Sequence, residues 1–367
     1  MIVVMKASAT GADVECAVNR VRELGLIPHV SKGEFRTIVG ALGEETVQVR
    51  EQLEQLAGVD EVMAISAPYK LASREFHEAD TVFDVRGVKV GGPHVNIIAG
   101  PCAIENREVL FGVGRAVKEA GASILRGGAY KPRTSPYSFS GKGREGLELL
   151  KEAGQELDMP TITEVLDPRD VEVVAEYADI LQIGARNMHN FNLLLEVGQA
   201  GKPVFIKRGL AASIGELLMS AEYVLSQGND RVILCERGIR TFADETRFTL
   251  DLSAVPVIQE RSHLPVFVDP SHAAGKRDLV PSLALAGIAV GAAGAIIEVH
   301  SCPDRALCDG PQAVMPETFA KLMVQIRQVA EIVGHRVTGS LPTGLEARPT
   351  ADGTSGDVDC IPCERGR

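Results

Sequence analysis

From His94 onward the chain repeats one unit: a short apolar run, a loop, then an amphipathic stretch. The apolar runs fall at 95–99, 123–126, 160–164, 179–183, 203–207, 231–236, 265–269 and 294–298, with helical spacing between them at 106–120, 144–157, 213–227 and 278–288. Runs this short and this continuously apolar are strands covered on both faces. Strands that alternate with helices form a parallel sheet. Eight such units predict a (β/α)8 barrel, whose functional groups stand at the carboxyl ends of the strands.

Those ends present, in order, Cys102, Arg126 with Lys131, Glu164, Arg186, Lys207, Arg237, Asp269 with His272, and Glu298. Every one offers a titratable or cationic group, where a purely structural barrel would place small or neutral residues at several. The chain carries a net charge of −11, so cations gathered in one place point to a bound anion. The same charge argues against a nucleic-acid partner, which needs a basic face. The stretch 124–143, ILRGGAYKPRTSPYSFSGKG, concentrates this chemistry. A buried strand end leads into a loop in which Gly127 and Gly128 permit close approach, and Pro132 and Pro136 stiffen the backbone around Arg126, Lys131 and Arg133. An Arg fork and a Lys point charge together make a phosphate-handling loop.

Ahead of the barrel, residues 1–66 predict a separate βαββαβ unit. Strands are expected at 2–5, 28–31, 35–42 and 59–65, and helices at 11–24 and 47–56. Residues 67–93 read as a polar linker followed by a hairpin around Arg86-Gly87, residues 94–337 as the barrel, and 338–367 as a disordered tail rich in Gly, Pro, Ser, Thr and Asp. The tail's Cys360-Ile361-Pro362-Cys363 has no second pair to complete a zinc site. Seven cysteines without a secretory context do not form a disulfide framework. No apolar run is long enough to span a bilayer, and the start lacks the features of a signal peptide, which points to the cytosol.

LRGGAYKPRTSPYSF at 125–139 resembles the signature of 3-deoxy-D-arabino-heptulosonate 7-phosphate (DAHP) synthases. GPCAIE at 100–105, IGARN at 183–187, KRG at 207–209, ERGIRTF at 236–242, DPSH at 269–272 and EVH at 298–300 agree with it in order. The resemblance runs from about Met1 to about Val337 and is strongest to the type I branch with a ferredoxin-like regulatory domain. It implies a transferase that condenses phosphoenolpyruvate (PEP) with D-erythrose 4-phosphate and water, the step that opens the shikimate pathway. It implies a divalent metal held by Cys102, His272, Glu298 and Asp309, with Mn, Fe, Zn, Co and Cu all compatible with the mixed donors. Arg126, Lys131, Arg186, Lys207 and Arg237 would hold PEP, with Glu164 orienting Lys and Arg partners. Arg133, Thr134 and Ser135 would take the phosphate of the aldose. Lys131 is the expected proton donor, its acidity raised by neighbouring cations, and Glu164, Asp269 and the phosphate itself are candidates for handling the water. The resemblance further implies a homo-oligomer, tetramer or dimer, and an aromatic effector (tyrosine or phenylalanine) at His29 and Ser31.

Three positions depart from the family pattern: His189 where glutamine is usual, and Cys302 and Cys308 beside the metal set. Two other readings compete. One is the sister synthase that uses arabinose 5-phosphate and makes an eight-carbon sugar acid, against which the wording Lys131-Pro132-Arg133-Thr134-Ser135 speaks. The other is a metabolite sensor built on a barrel that no longer turns over.

Overall fold

The structure is a computed structural model that describes residues 1–33, 36–43, 46–63, 68–131, 137 and 139–339. It begins with β1 (Ile2–Met5), α1 (Gly11–Glu23), β2 (Ile27–Lys32), β3 (Thr37–Leu42), α2 (Val47–Glu54) and β4 (Val59–Met63). These form an antiparallel sheet of order β2-β3-β1-β4, a ferredoxin-like unit. A capping box starts α1: the Thr10 hydroxyl accepts the Asp13 N–H while the Asp13 carboxylate accepts the Thr10 N–H. Alternation along the strands divides their side chains between two faces. Val3, Met5, Val39 and Val62 pack under Ala17, Val21 and Leu53 of the helices. Ile2, Val4, Ile38 and Leu42 instead join a cluster with Tyr69, Leu71 and Phe76.

That second contact corrects the reading of 68–80 as a polar linker. Tyr69, Leu71, Ala72 and Phe76 are all buried, and the segment is tied to the barrel by specific bonds. The Glu222 carboxylate accepts the N–H groups of Leu71 and Ala72, Arg74 donates to the carbonyls of Gln259 and Ser262, and His263 bonds Leu71 O and Thr81. The small unit is therefore seated on the barrel through this segment.

Next come the hairpin β5 (Phe83–Val85) and β6 (Val88–Val90), then β7 (His94–Gly100), α3 (Arg107–Glu119), β8 (Ile124–Arg126), α4 (Arg144–Glu156), β9 (Thr161–Val165), α5 (Val171–Tyr177), β10 (Ile180–Ile183) and α6 (Phe191–Gln199). The chain continues through β11 (Val204–Lys207), α7 (Ile214–Leu225), β12 (Val232–Glu236), α8 (Ala254–Arg261), β13 (Val266–Val268), α9 (Pro270–Ala274), α10 (Val280–Ala289), β14 (Gly294–Glu298), α11 (Pro316–Ile332) and β15 (Arg336–Val337). Strands β7 to β14 pair in parallel, and β14 closes on β7 with Gly294 opposite Asn96 and Glu298 opposite Gly100. This is the expected (β/α)8 barrel. The short β15 was not anticipated; it extends β7 from outside the barrel. Beyond β15, Thr338 meets Asn96 and Ser123, and Gly339 O accepts from Arg327 at 3.4 Å.

Inside the barrel, Ile98, Ile124, Ile162, Ile180, Phe205, Ile233, Phe267 and Ile296 form one apolar cluster with Val85 and Val90 of the hairpin. Burying each of these large side chains contributes roughly 1.5–3 kcal/mol. The hairpin plugs the amino end of the barrel. At its turn Arg86 donates to Met159 O and Asp179, which stand just before β9 and β10. With one end sealed by apolar side chains, polar chemistry is left to the carboxyl ends of the strands. Among the described residues no helix is long and apolar enough to cross a membrane.

Candidate active site

Cys102 lies on the loop after β7, His272 in the first turn of α9, Glu298 at the end of β14, and Asp309 on the loop that follows. Their ligand atoms all fall within 4.8 Å of one another. Cys102 Sγ is 3.3 Å from Asp309 Oδ2, and His272 Nε2 is 3.3 Å from Glu298 Oε1. Asp309 adopts a left-handed backbone with φ of 52°, a conformation that costs a non-glycine residue energy and recurs at functional sites. Burial would raise the Asp309 carboxyl, but His272, the Cys102 hydrogen bond, Arg247 and Lys131 together hold it at about 2. The Cys102 thiol is pushed well above its ordinary range by its hydrogen bond to Cys308 and by burial.

The donor set suits a divalent ion. Glu298 is fully buried, yet its Oε1 has no aligned hydrogen-bond partner even with Arg126 Nη1 at 3.0 Å. His272 turns Nδ1 toward Asp269 Oδ2 at 2.8 Å, short of a well-aligned hydrogen bond, and leaves Nε2 facing the other donors. A carboxylate behind an imidazole is the usual way a ligating ring is held. Thiol, imidazole and two carboxylates from separate loops can close on one ion and leave positions open.

Cations surround this quartet. Lys131 Nζ donates to Cys102 Sγ at 3.2 Å. It reaches that position because residue 128 is glycine: a Cβ there would stand 2.6 Å from Lys131 Nζ and 2.7 Å from Cys102 O. The expectation that neighbouring cations raise the acidity of Lys131 is corrected. Burial, the largest influence, does favour the neutral amine and Arg126 adds to it, but attraction to Cys102, Cys308 and Glu164 prevails and lifts the pKa to about 12. Lys207 is buried and pairs with Asp269 Oδ2 at 2.5 Å. Arg237 is buried over the Phe248 ring at 4.6 Å, and its Nη1 has no hydrogen-bond partner among the described residues. Burial pushes its guanidinium below the usual range. A buried guanidinium nitrogen without a hydrogen bond is costly, and a bound anion would relieve it. Arg186, in the turn after β10, contributes to the charge around Arg237.

Two carboxylates differ from expectation. Asp269 is fully buried and, despite that burial, held well below the carboxylate range by His272, Lys207 and Arg237. It is committed to those partners as an ionised group. Glu164 forms no ion pair with a described Lys or Arg, although its charge acts on Lys131; Lys207 and Arg126 pair with Asp269 and Glu298, and Glu164 accepts a hydrogen bond from Gln182 at 3.3 Å. Gly184 makes room for this carboxylate, since a Cβ there would strike Glu164 Oε1.

Several groups escaped the sequence reading. The buried amide of Gln312 donates to Glu298 Oε2 at 2.8 Å and accepts from Arg247 at 3.1 Å, while Arg247 also stands 3.6 Å from Asp309. Glu105 accepts the Leu307 N–H at 2.7 Å and so pins the loop that carries Asp309. Arg208 pairs with Glu236 at 2.8 Å and Asp251 at 3.0 Å, bracing the neighbours of Lys207 and Arg237. The KRG and ERG wording already contained Arg208 and Glu236; for Gln312 the only signal was its place three residues past Asp309.

Arg133, Thr134 and Ser135 lie outside the described residues, as do Cys360 and Cys363. Cys302 is exposed. His189 neighbours Glu216 at 3.8 Å and Phe191 on the surface of α6 and α7. His29 and Ser31 line a cavity of about 400 Å³ with Phe76, Asp230 and His263. Asp230 and His263 precede β12 and β13, so this cavity is at the end of the barrel opposite the quartet.

A barrel sealed at one end, with buried cations gathered around a donor quartet at the other, is the frame of an enzyme for anionic substrates. Residues 72–333 match the DAHP synthetase I family and residues 1–67 match the DAHP synthase ferredoxin-like domain. The chain belongs to the DAHP synthetase I family and is an enzyme of the DAHP synthase type. It is 50% identical over 337 residues to phospho-2-dehydro-3-deoxyheptonate aldolase of Thermotoga maritima, covering 92% of this chain and 100% of that one. The crystal structure of that DAHP synthase superposes with a TM-score of 0.74 over 92% of this chain and 99% of that one. A truncated form of the Thermotoga enzyme gives 0.69 at 50% identity over 74% of this chain and 99% of that one. A 2-dehydro-3-deoxyphosphooctonate aldolase of Syntrophobacter fumaroxidans is 33% identical over 269 residues, covering 68% of this chain and 92% of that one.

Proposed function

We propose that this site condenses PEP with D-erythrose 4-phosphate and water to give DAHP and phosphate, with a divalent ion held by Cys102, His272, Glu298 and Asp309. The observation that carries the reading is the buried Arg237, whose Nη1 has no hydrogen-bond partner among the described residues, on the same barrel mouth as four converging donor atoms. Two phosphorylated substrates repel each other until both are neutralised. Lys207, Arg237, Arg186 and Arg126 supply that neutralisation for PEP, and Arg133, Thr134 and Ser135 for the aldose phosphate. Holding both in reacting geometry lowers the barrier by roughly 7–11 kcal/mol.

The carbon–carbon bond forms between PEP carbon 3 and the aldehyde carbon, water adds at PEP carbon 2, and phosphate leaves with its bridging oxygen. A bound divalent ion supplies Lewis acidity toward the aldehyde oxygen. Lys131 is the proton donor to the oxygen that becomes a hydroxyl. With a pKa of about 12 it keeps its proton at neutral pH until a strongly basic alkoxide forms beside it. Asp269 orients Lys207 and His272, which leaves Glu164 as the carboxylate available to hold the attacking water.

The small unit is read as a regulatory domain that takes tyrosine or phenylalanine at His29 and Ser31, and the working enzyme as a homo-oligomer. The arabinose 5-phosphate reading is disfavoured because the sister relative covers 68% of this chain at 33% identity, against 92% at 50% for the Thermotoga enzyme, and the sensor reading because every catalytic position is filled. Phosphate release from PEP, assayed with each aldose phosphate before and after chelation, tests the proposal. Release with erythrose 4-phosphate that disappears on chelation and returns with added metal is expected; release with arabinose 5-phosphate alone would overturn it.

A further inference from the structure

Cys308 lies against the quartet. Its Sγ is 3.1 Å from Cys102 Sγ and 3.5 Å from Asp309 Oδ2, and Cys102 Sγ is 3.3 Å from the same oxygen. Three donor atoms thus form a small triangle with buried sulfurs at two corners. The fully buried Glu298 Oε1, which has Arg126 Nη1 at 3.0 Å but no aligned hydrogen bond, belongs to the same cluster of donor atoms within 4.8 Å of one another. Two sulfurs on one tetrahedral ion, each about 2.3 Å from it, lie about 3.8 Å apart. The pair therefore has to open by less than about 1 Å to share an ion.

Asp309 reinforces this placement. Its left-handed backbone turns the chain sharply just past Cys308, so two consecutive side chains converge on one point. Glu105 holds the preceding residue, Leu307, by its N–H. The loop is fixed on both sides of Cys308.

We propose that Cys308 is a second sulfur donor of the divalent-ion site, making this chain's donor set two sulfurs, one nitrogen and carboxylate oxygen. The inference rests on the reading of the quartet as a metal site. Thiolates favour thiophilic ions, whereas oxygen donors suit manganese. The site accordingly prefers zinc or cadmium to manganese more strongly than one with a single sulfur.

The test is an anaerobic Co²⁺ titration of the chelator-stripped full chain, followed by near-ultraviolet sulfur-to-cobalt absorption, beside competition between Zn²⁺ and Mn²⁺. Cys308→Ser and Cys308→Ala are compared with Cys102→Ser after circular dichroism has confirmed folding. Each single variant should show about half the absorption of the unaltered chain. Both Cys308 variants should lose roughly tenfold or more of the zinc preference. Full absorption and unchanged preference in the Cys308 variants, with loss only in Cys102→Ser, would show Cys308 to be a neighbour and not a donor. No cobalt absorption in the unaltered chain would overturn the metal reading itself.

Discussion

The Asp269 carboxylate holds the Lys207 ammonium at 2.5 Å through the same oxygen that lies 2.8 Å from His272 Nδ1. One buried group thus orients a cation proposed for PEP and an imidazole proposed for the metal. Its second oxygen accepts the His272 backbone N–H at 2.9 Å, which caps α9 and fixes where the imidazole begins.

Asp269→Asn should therefore damage two functions together. Metal affinity is expected to fall roughly 10–100-fold through loss of imidazole orientation, and KM for PEP should rise as Lys207 loses its partner. Metal competition and steady-state kinetics on the same preparation check this. If either quantity holds while the other moves, Asp269 does not couple the two.

Gln312→Leu removes the amide that fixes Glu298 Oε2 and leaves that oxygen buried without its donor. Metal binding should weaken roughly 10–100-fold, with KM for the aldose phosphate little changed at saturating metal. A chelator-competition titration measures the first and initial rates the second. Unaltered metal affinity would reduce Gln312 to a packing residue.

What could be read from the sequence follows from which forces act locally. Cys102, His272 and Glu298 were legible because the strand pattern places them at strand ends. Asp309 was reached through family resemblance alone: it sits on a long loop, and nothing local announces its left-handed backbone. Gln312 and Arg247 act only through the folded approach of two loops, so no periodicity marks them. Lys131 was misjudged because the sequence shows the cations beside it, whereas Cys102, Cys308 and Glu164 reach it only in three dimensions. The segment 68–80 looked like a linker because Lys70, Arg74, Glu75, Glu78 and Asp80 are scattered through it without helical or strand periodicity, yet Tyr69, Leu71 and Phe76 carry the packing.

His263 gives the seat of the small unit a pH dependence. Its Nε2–H donates to Leu71 O, so Nδ1 accepts from the Thr81 hydroxyl and the ring is neutral. Burial, with His77 and Arg74 nearby, lowers its pKa from 6.5 to about 4. Above pH 6.5 folded and unfolded chains both hold the neutral ring, and stability is unaffected. Between 6.5 and 4 the unfolded chain binds a proton that the folded chain refuses, so stability falls by up to roughly 3 kcal/mol and then levels. Urea unfolding of the full chain and of His263→Gln at pH 7.5, 5.5 and 4.5 would expose the difference in slope. Parallel losses in both proteins would rule out His263 as its source.

Deletion of residues 1–66 should leave an active barrel that no longer responds to tyrosine or phenylalanine. The donor quartet and its cations belong to the barrel and its loops, while His29 and Ser31 line a cavity at the opposite end. In this seat the domain cannot cover its own barrel mouth. Inhibition would then require the effector to favour a state in which the domain has moved, or in which the domain of a second copy reaches the mouth. A typical coupling of 1–3 kcal/mol corresponds to roughly 5–150-fold inhibition. The truncation also uncovers Tyr69, Leu71 and Phe76, which now pack beneath the small sheet, so a lower melting temperature is expected alongside retained turnover. Full-length and truncated chains are assayed with each aromatic amino acid. Full-length activity indifferent to all of them would make the domain a structural cap, and a truncated chain still inhibited would place the effector on the barrel.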